Sequence, residues 1–278
     1  MPTVSIRLLR DPSDFLQCEQ IQKEVWGTVS LSAEALRVVG DFGGMVLGCF
    51  EGGRLLGFIS ALLARRHGEL IHWSFQMAVR KRHRDRSLGF RMKLAHRRLA
   101  LKNGIRSICW SYDPLQSRNA ALNIRRLRAL PEEYAEDYYG HFPSLIERGV
   151  PSDRFLVRWK IASPVVERHL RTGISVGSET LFASSQVVNV TERLTNGFLT
   201  NRKVRLGLEA RRLLVEIPCD TDRMRQKDLP LALDWRRVTR KRFPHYLRRG
   251  YRVTDFLQQG PPSHARFFYL LEKRRRRA

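Results

Sequence analysis

Apolar and polar positions change period several times along the chain, and each change marks an element. Val4–Leu9 alternates, which predicts a first strand. After a turn at Pro12, Phe15, Cys18, Ile21 and Val25 recur at helical spacing, with Asp14 placed to cap a helix running to about Val25. Met45–Glu51, Gly52-Gly53 and Arg54–Ala64 read as strand, turn and strand, because two glycines supply the positive φ angles of a two-residue hairpin. Glu69–Val79 is a further strand. Leu88, Met92, Ala95 and Leu99 then form an apolar stripe on a helix over Phe90–Leu101, with Arg91, Lys93, Arg97, Arg98 and Lys102 directed elsewhere and Gly104 ending it. Strand Arg106–Ser111, helix Asn119–Leu127 and strand Phe155–Ile161 follow, with an ambiguous stretch beginning at Tyr134.

This order predicts an α/β fold: a mixed sheet with helices on both faces over residues 1–163. Residues 164–211, rich in Ser, Thr, Asn and Gly, read as a connecting segment with short elements. Residues 212–278 read as strand Arg212–Pro218, helix Leu229–Leu247, strands Tyr251–Leu257 and Phe267–Glu272, and a frayed tail Lys273–Arg277. Strand, helix, strand, strand repeats the order of residues 106–161, which suggests a degenerate internal repeat of half a domain.

Charge changes this picture. The chain of 278 residues carries a formal net charge of +24, a field that attracts phosphorylated cofactors, nucleic acid or acidic membranes. Arginine spread over both halves fits a solvated basic surface equally well. No helix-turn-helix, zinc-finger or RNP-type signature accompanies the charge, so specific nucleic-acid binding is not expected. The longest apolar run, Leu55–Ala64, is too short to span a bilayer, and the N-terminus has no signal-peptide core. Cys18, Cys49, Cys109 and Cys219 lie far apart in mostly apolar settings, which implies small buried side chains, no metal site and a reducing cytoplasm.

Candidate chemistry concentrates in Phe75–Gly89, where a strand, a basic turn and a helix N-terminus follow one another. Such a junction aims backbone amides at one point and suits a phosphate, and Arg80, Arg82, Arg84 and Arg86 crowd the same turn. Further along, Asn119 and Asn123 lie one turn apart, with an N-cap role open for Asn119. Asp113-Pro114 is a turn former or a site carboxylate, and Asp153 and Arg154 pair together or bind a substrate carboxylate.

The segment Arg84-Asp85-Arg86-Ser87-Leu88-Gly89 resembles the acyl-CoA motif R/Q-x-x-G-x-G/A of the GNAT superfamily of N-acyltransferases, with Ser87 in place of the first glycine. Trp110–Leu127, Asp137–Gly140, Pro151–Phe155, WRRVTR and GYRVTDF resemble a bacterial subfamily of similar length linked to amino-acid N-acylation, including N-succinylation. The resemblance implies acyl-CoA as co-substrate, no metal, and a small-molecule amine as acceptor. Its cofactor contacts would be Met77, Val79, Arg84, Arg86, Ser87, Leu88, Gly89, Phe90, Asn119 and Asn123, with Arg154 on the acceptor. In the resembling proteins a histidine stands at Phe75 and a tyrosine acid at Ile124, so neither is present here. Tyr112, Tyr138 and Tyr139 remain as acids, Asp113 and Glu69 as bases, and Gln76 can only hydrogen-bond. A GNAT fold that binds acyl-CoA with little turnover is the alternative that these changes suggest.

Overall fold

The structure, a computed structural model, describes residues 3–140, 149–173, 178–261 and 264–273. Its chain forms two compact units, one of residues 1–110, 143–146 and 158–167, the other of residues 111–142, 147–157 and 168–278.

In the first unit the sheet order is β1 (Ser5–Leu8), β2 (Met45–Glu51), β3 (Arg54–Arg66), β4 (Glu69–Val79) and β5 (Ile108–Tyr112, which continues into the second unit). Neighbours pair antiparallel except β4 and β5, which are parallel, so the sheet is mixed and the fold is α/β. The β2–β3 hairpin turns on Gly52 and Gly53, at φ 54° and 78°, as the sequence requires. Helices α1 (Pro12–Trp26) and α2 (Ala33–Asp41) bury Phe15, Cys18, Ile21 and Leu36 against Val46, Phe58 and Ala78. Helix α3 (Leu88–Lys102) buries Leu88, Met92 and Ala95 against Leu47, Cys49, Ile59 and Ala61. Val46 and its neighbour Leu47 therefore serve opposite faces, the period-2 logic of a strand covered on both sides. The cap of α1 is Asp11, which accepts the Ser13 amide at 2.8 Å, and not Asp14. Asp14 is instead buried and paired with Arg7 at 2.8 Å.

One irregularity decides how β4 presents its side chains. Ser60 opposes Gln76 but Ala61 opposes Ser74, so β4 carries a one-residue bulge at Phe75. Before the bulge His72 and Ser74 meet α3 through His96 and Lys93. After it Met77 and Val79 pack on the α3 side, and Gln76 turns to α1, donating to Gln22 at 2.8 Å. Simple alternation would put Gln76 on the face of His72 and Ser74; the extra residue reverses it.

The second unit holds a short helix α4 (Ser117–Ala120) running into a π-helical segment, Ala121–Arg126, then β6 (Leu130–Ala135) and β7 (Arg154–Trp159, whose end belongs to the first unit). Beyond α5 (Pro164–Thr172) and α6 (Ser178–Ala183) come β8 (Gln186–Val187) and a hairpin of β9 (Asn189–Arg193) and β10 (Leu199–Val204). Strand β11 (Arg212–Ile217), helices α7 (Thr221–Lys227) and α8 (Leu229–Arg248), and strands β12 (Tyr251–Gln259) and β13 (Arg266–Lys273) complete it. Sheet neighbours in this unit run β5-β7-β6 and β11-β13-β12, so the two stretches suggested as a repeat share the order first, third, second. Residues 111–157 associate with the C-terminal residues through one aromatic cluster, in which Phe155 lies 4.8 Å from Phe243 and 5.6 Å from Tyr269. The compact units thus divide elsewhere than at 163. Of the expected tail Lys273–Arg277, all but Lys273 lies outside the described residues. Among the described residues no helix is long and apolar enough to cross a membrane, and no cluster of His, Cys, Asp and Glu could hold a metal ion. Cys18, Cys49 and Cys109 are buried, but Cys219 is exposed, against expectation, at the end of β11.

Gly57 is where β3 comes nearest β4: a Cβ there would sit 2.5 Å from the Ala78 carbonyl oxygen and 3.1 Å from the Val79 Cα. Backbone cannot yield as a side chain can. Gly57→Ala is expected to cost about 1–3 kcal/mol in urea unfolding, the range of overpacked cores, and Gly207→Ala almost none of it, since Gly207 meets nothing within 4 Å and is not left-handed.

Candidate functional site

In the first unit the site begins where β4 and β5 part. Their ladder consists of His72 opposite Ile108 and Trp73 opposite Cys109, and β4 then continues to Val79. The bulge follows at once, and a bulged strand cannot keep the evenly spaced bonds of a parallel ladder. From Ser74 onward β4 therefore offers its β5-side backbone groups to something else. Its far end leads through Arg80 and a single 3₁₀ turn, Lys81–His83, into α3.

At that end Arg84 is exposed, with its Nε donating to the Val79 carbonyl at 3.4 Å. Arg86 is held by Glu51, Nη1 to Oε2 at 3.2 Å and Nη2 to Oε1. Arg80 does not join the turn: it is buried, paired with Glu24 and donating to the Leu55 carbonyl at 3.0 Å. The first bond of α3 runs from the Arg91 amide to the Ser87 carbonyl at 3.0 Å, so the amides of its first turn point out of the helix start. Ser87 stands at φ 56°, ψ 19°, the left-handed conformation that a glycine adopts without cost. Asp85 is also left-handed, at φ 64°. Two residues of the turn are thus left-handed, and one of them is the serine at the position of the resembled motif's first glycine. Leu88 is buried, Gly89 and Phe90 are half-buried, and the Met77 and Val79 side chains pack inward.

Under the parting of β4 and β5 lies a group of polar side chains that the sequence pattern did not single out. Lys93 is buried, its Nζ 3.0 Å from Ser74 Oγ and 3.6 Å from the centroid of the Trp110 ring. His96 Nε2 lies 3.1 Å from His72 Nδ1, both rings buried. Burial holds both histidines below the usual range and brings Lys93 down to about 7. Lys93 does not point away from the core as expected. Gly89, Lys93, His96 and Ala100 follow a helical i, i+4, i+7, i+11 spacing, a second inner seam beside the apolar stripe. That spacing was the available signal, and the polar identity of its two middle members hid it.

In the second unit the other candidates separate. Tyr112 is buried with its hydroxyl 3.2 Å from that of Tyr269, which donates to the Pro114 carbonyl at 2.7 Å. Burial, first of all, pushes the Tyr112 phenol far up, a poor setting for a proton donor that must reload. Asp113 accepts the Leu115 amide at 2.9 Å and Arg236 Nη2 at 2.6 Å. Burial raises its carboxyl, but the Arg236 charge and hydrogen bond, with Arg154 and the Leu115 amide, reverse this and hold it low. It is both the turn former and half of a buried ion pair. Tyr139 is exposed, its hydroxyl 3.0 Å from Ser111 Oγ and the Arg154 guanidinium 5.0 Å from its ring centroid, so these two candidates do come together. The Asp153 carboxylate is gripped by Arg240 on both oxygens, at 2.6 Å at the nearest, and accepts from Tyr134 at 2.5 Å, while Arg154 Nη1 donates to the Asp153 main-chain carbonyl at 3.1 Å. Asn119 is exposed within α4, which starts at Ser117, so it is not the N-cap; Asn123 is buried in the π-helical segment. The two therefore differ in setting despite their spacing.

No protein-family model matches the chain, and no curated protein matches it. Solved structures with a similar fold include an acetyltransferase of the GNAT family from Streptococcus pneumoniae, with 16% identity over 56% of this chain and 98% of that one at a TM-score of 0.46. The ribosomal-protein-S18-alanine N-acetyltransferase from Escherichia coli gives 13% identity over 58% and 96%, TM-score 0.47. NAA60 from Arabidopsis thaliana, solved in complex with acetyl-CoA, gives 14% identity over 57% and 99%, TM-score 0.47.

The Asp113–Arg236 pair makes a direct test of how the second unit is held. Asp113→Asn leaves a buried guanidinium uncompensated and is expected to cost about 3–5 kcal/mol at neutral pH. A carboxyl held low in the folded state stabilises it above the ordinary carboxylate range and loses that contribution as pH falls below it. The difference between wild type and variant, followed by urea unfolding, should therefore shrink in acid.

Proposed function

We propose that the chain is a CoA-dependent N-acyltransferase of the GNAT type, moving an acetyl, succinyl or similar acyl group to the amine of a small molecule, an amino acid being the acceptor class. One observation carries the reading. A parallel pair, β4 and β5, stops after two positions at a bulge, and the freed strand leads directly into a basic turn and a helix start. A pantetheine arm needs a run of unpaired strand backbone, and a pyrophosphate needs amides and guanidiniums one strand-length away. Both requirements are met by Ser74–Val79 and Arg84–Phe90 of the first unit.

Acyl transfer from a thioester needs little covalent help. The amine must be held neutral beside the carbonyl, the oxyanion must meet an N–H, and a proton must leave the amine and reach the thiolate. In this reading a β4 amide beyond Trp73 polarises the carbonyl, Arg84 and Arg86 hold the pyrophosphate with the first-turn amides of α3, and Met77 and Val79 offer backbone to the pantetheine. Within the second unit this reading's candidates are Asn119 and Asn123 as cofactor contacts, Arg154 for the acceptor and Tyr139 as an acid. Acetyl-CoA or a related thioester is the co-substrate, no metal is required, and three buried thiols suit a reducing cytoplasm. A site that binds acyl-CoA without turning it over is favoured by one feature, the engagement of Tyr112 and Asp113 in buried structural bonds.

Titration calorimetry with coenzyme A, acetyl-CoA and succinyl-CoA separates these outcomes from a generic basic surface. Saturable micromolar binding at moderate salt is expected, weakened about tenfold by Arg84→Ala, as loss of one charge-assisted phosphate contact would give. Absence of binding to all three ligands would remove the reading.

A further inference from the structure

The bonds that reaction makes and breaks leave one proton to be moved, and most of the side chains expected to move it are missing or engaged: Phe75 and Ile124 cannot titrate, Tyr112 is bound to Tyr269, Asp113 to Arg236, Glu69 to Arg158 and Tyr139 to Ser111. Resting on the acyltransferase reading, we propose that Lys93 is the positioning residue that takes this proton through the hydroxyl of Ser74 and returns it to the departing thiolate.

The geometry is local to the fork. Trp73 and Cys109 are the last paired residues, and the next residue on each strand, Ser74 and Trp110, is a neighbour of the Lys93 amine. Lys93 thus stands at the apex of the opening in which the reading places the acyl group, separated from it by one hydroxyl. Ser74 is the first residue of β4 freed from β5, and its Oγ can accept one proton while donating its own to Lys93 Nζ.

The amine's surroundings favour its neutral form. Facing Lys93 are Ser74 and His72 from β4, His96 from its own helix and Trp110 from β5; among the described residues no carboxylate is paired with it. An ammonium has three donors, and here it finds one hydroxyl and one ring face. Burial accordingly brings Lys93 to about 7. A buried lysine near neutrality can gain and lose a proton within one turnover, which a solvated lysine cannot.

The step balances. As the acceptor nitrogen bonds to the thioester carbon, its N–H proton passes to Ser74 Oγ and the Ser74 hydroxyl proton passes to Lys93 Nζ. When the C–S bond breaks, the proton returns by the same path to the thiolate sulfur. The products are an amide and the free thiol of coenzyme A, and Lys93 ends neutral. No second acid is needed, which accounts for a site that lacks one.

The test compares wild type with Lys93→Met, Lys93→Arg and Ser74→Ala, measuring acetyl-CoA affinity by calorimetry and thiol release from pH 5.5 to 9 with a mixture of the common amino acids as acceptors. In wild type kcat should rise with pH and level off above an inflection near 7, as Lys93 loses its proton. Both Lys93 variants should lose about a hundredfold in kcat together with that inflection, while acetyl-CoA affinity stays as in wild type. Ser74→Ala should do the same with Lys93 intact, and it keeps the proposal falsifiable should Lys93→Met fail to fold. Unchanged rate and profile in the variants would overturn the relay. So would loss of acetyl-CoA binding in the variants alone, which would make Lys93 a structural wedge, and so would binding to wild type with no thiol release. A wild-type protein that does not bind acetyl-CoA would instead overturn the acyltransferase reading, a result visible before any variant is assayed.

Discussion

A parallel ladder needs evenly spaced partners, and a bulged strand cannot supply them. That incompatibility at Phe75 shapes the first unit. Because β4 carries one extra residue opposite Ser60 and Ala61, its ladder with β5 closes after Trp73 and the remaining strand is left to bind something. The same residue reverses the alternation, so that Ser74 faces Lys93 and Gln76 faces Gln22. The close approach at Gly57 sets β3 tightly against the end of β4, beyond the bulge.

Polar groups in the interior follow from this arrangement. Lys93, His72 and His96 occupy the space under the fork without a carboxylate, at the expense of their charged forms. The second unit solves the same problem differently. Asp113 is paired with Arg236, and Asp153 with Arg240 and Tyr134, around rings that pack edge to face. Neutral bases in one unit and paired ions in the other explain why proton chemistry is assigned to the first and structural roles to Tyr112 and Asp113 in the second.

Much of the fold was legible from sequence because its signals are local. Gly52-Gly53 announced the hairpin, β4 began and ended at Glu69 and Val79 as read, and the stripe Leu88, Met92, Ala95 and Leu99 fixed the inner face of α3. The φ of 56° at Ser87 was not legible, because a serine in place of the motif's first glycine leaves its backbone conformation open. What escaped depends on contacts distant in sequence. A bulge leaves no mark in the apolar pattern, so the face that Gln76 takes could not be read from it. Lys93 read as solvated because charge is usually outside, and only the small residues Gly89 and Ala100 on its seam argued otherwise. Asp153 and Arg154 were open between pairing together and binding a substrate carboxylate, and the partner of the Asp153 carboxylate, Arg240, reaches it from far along the chain.

The central claim is that the freed length of β4 and the basic turn after it receive one ligand, an acyl-CoA. Amide hydrogen exchange with and without acetyl-CoA tests it most directly, since the strand's unpaired N–H groups report on whatever bonds to them. Slowed exchange concentrated in Ser74–Val79 and Arg84–Phe90, with β1 and the β9–β10 hairpin unaffected, is the predicted result. Uniform exchange at those two segments under saturating acetyl-CoA, or protection confined to other parts of the chain, would contradict it.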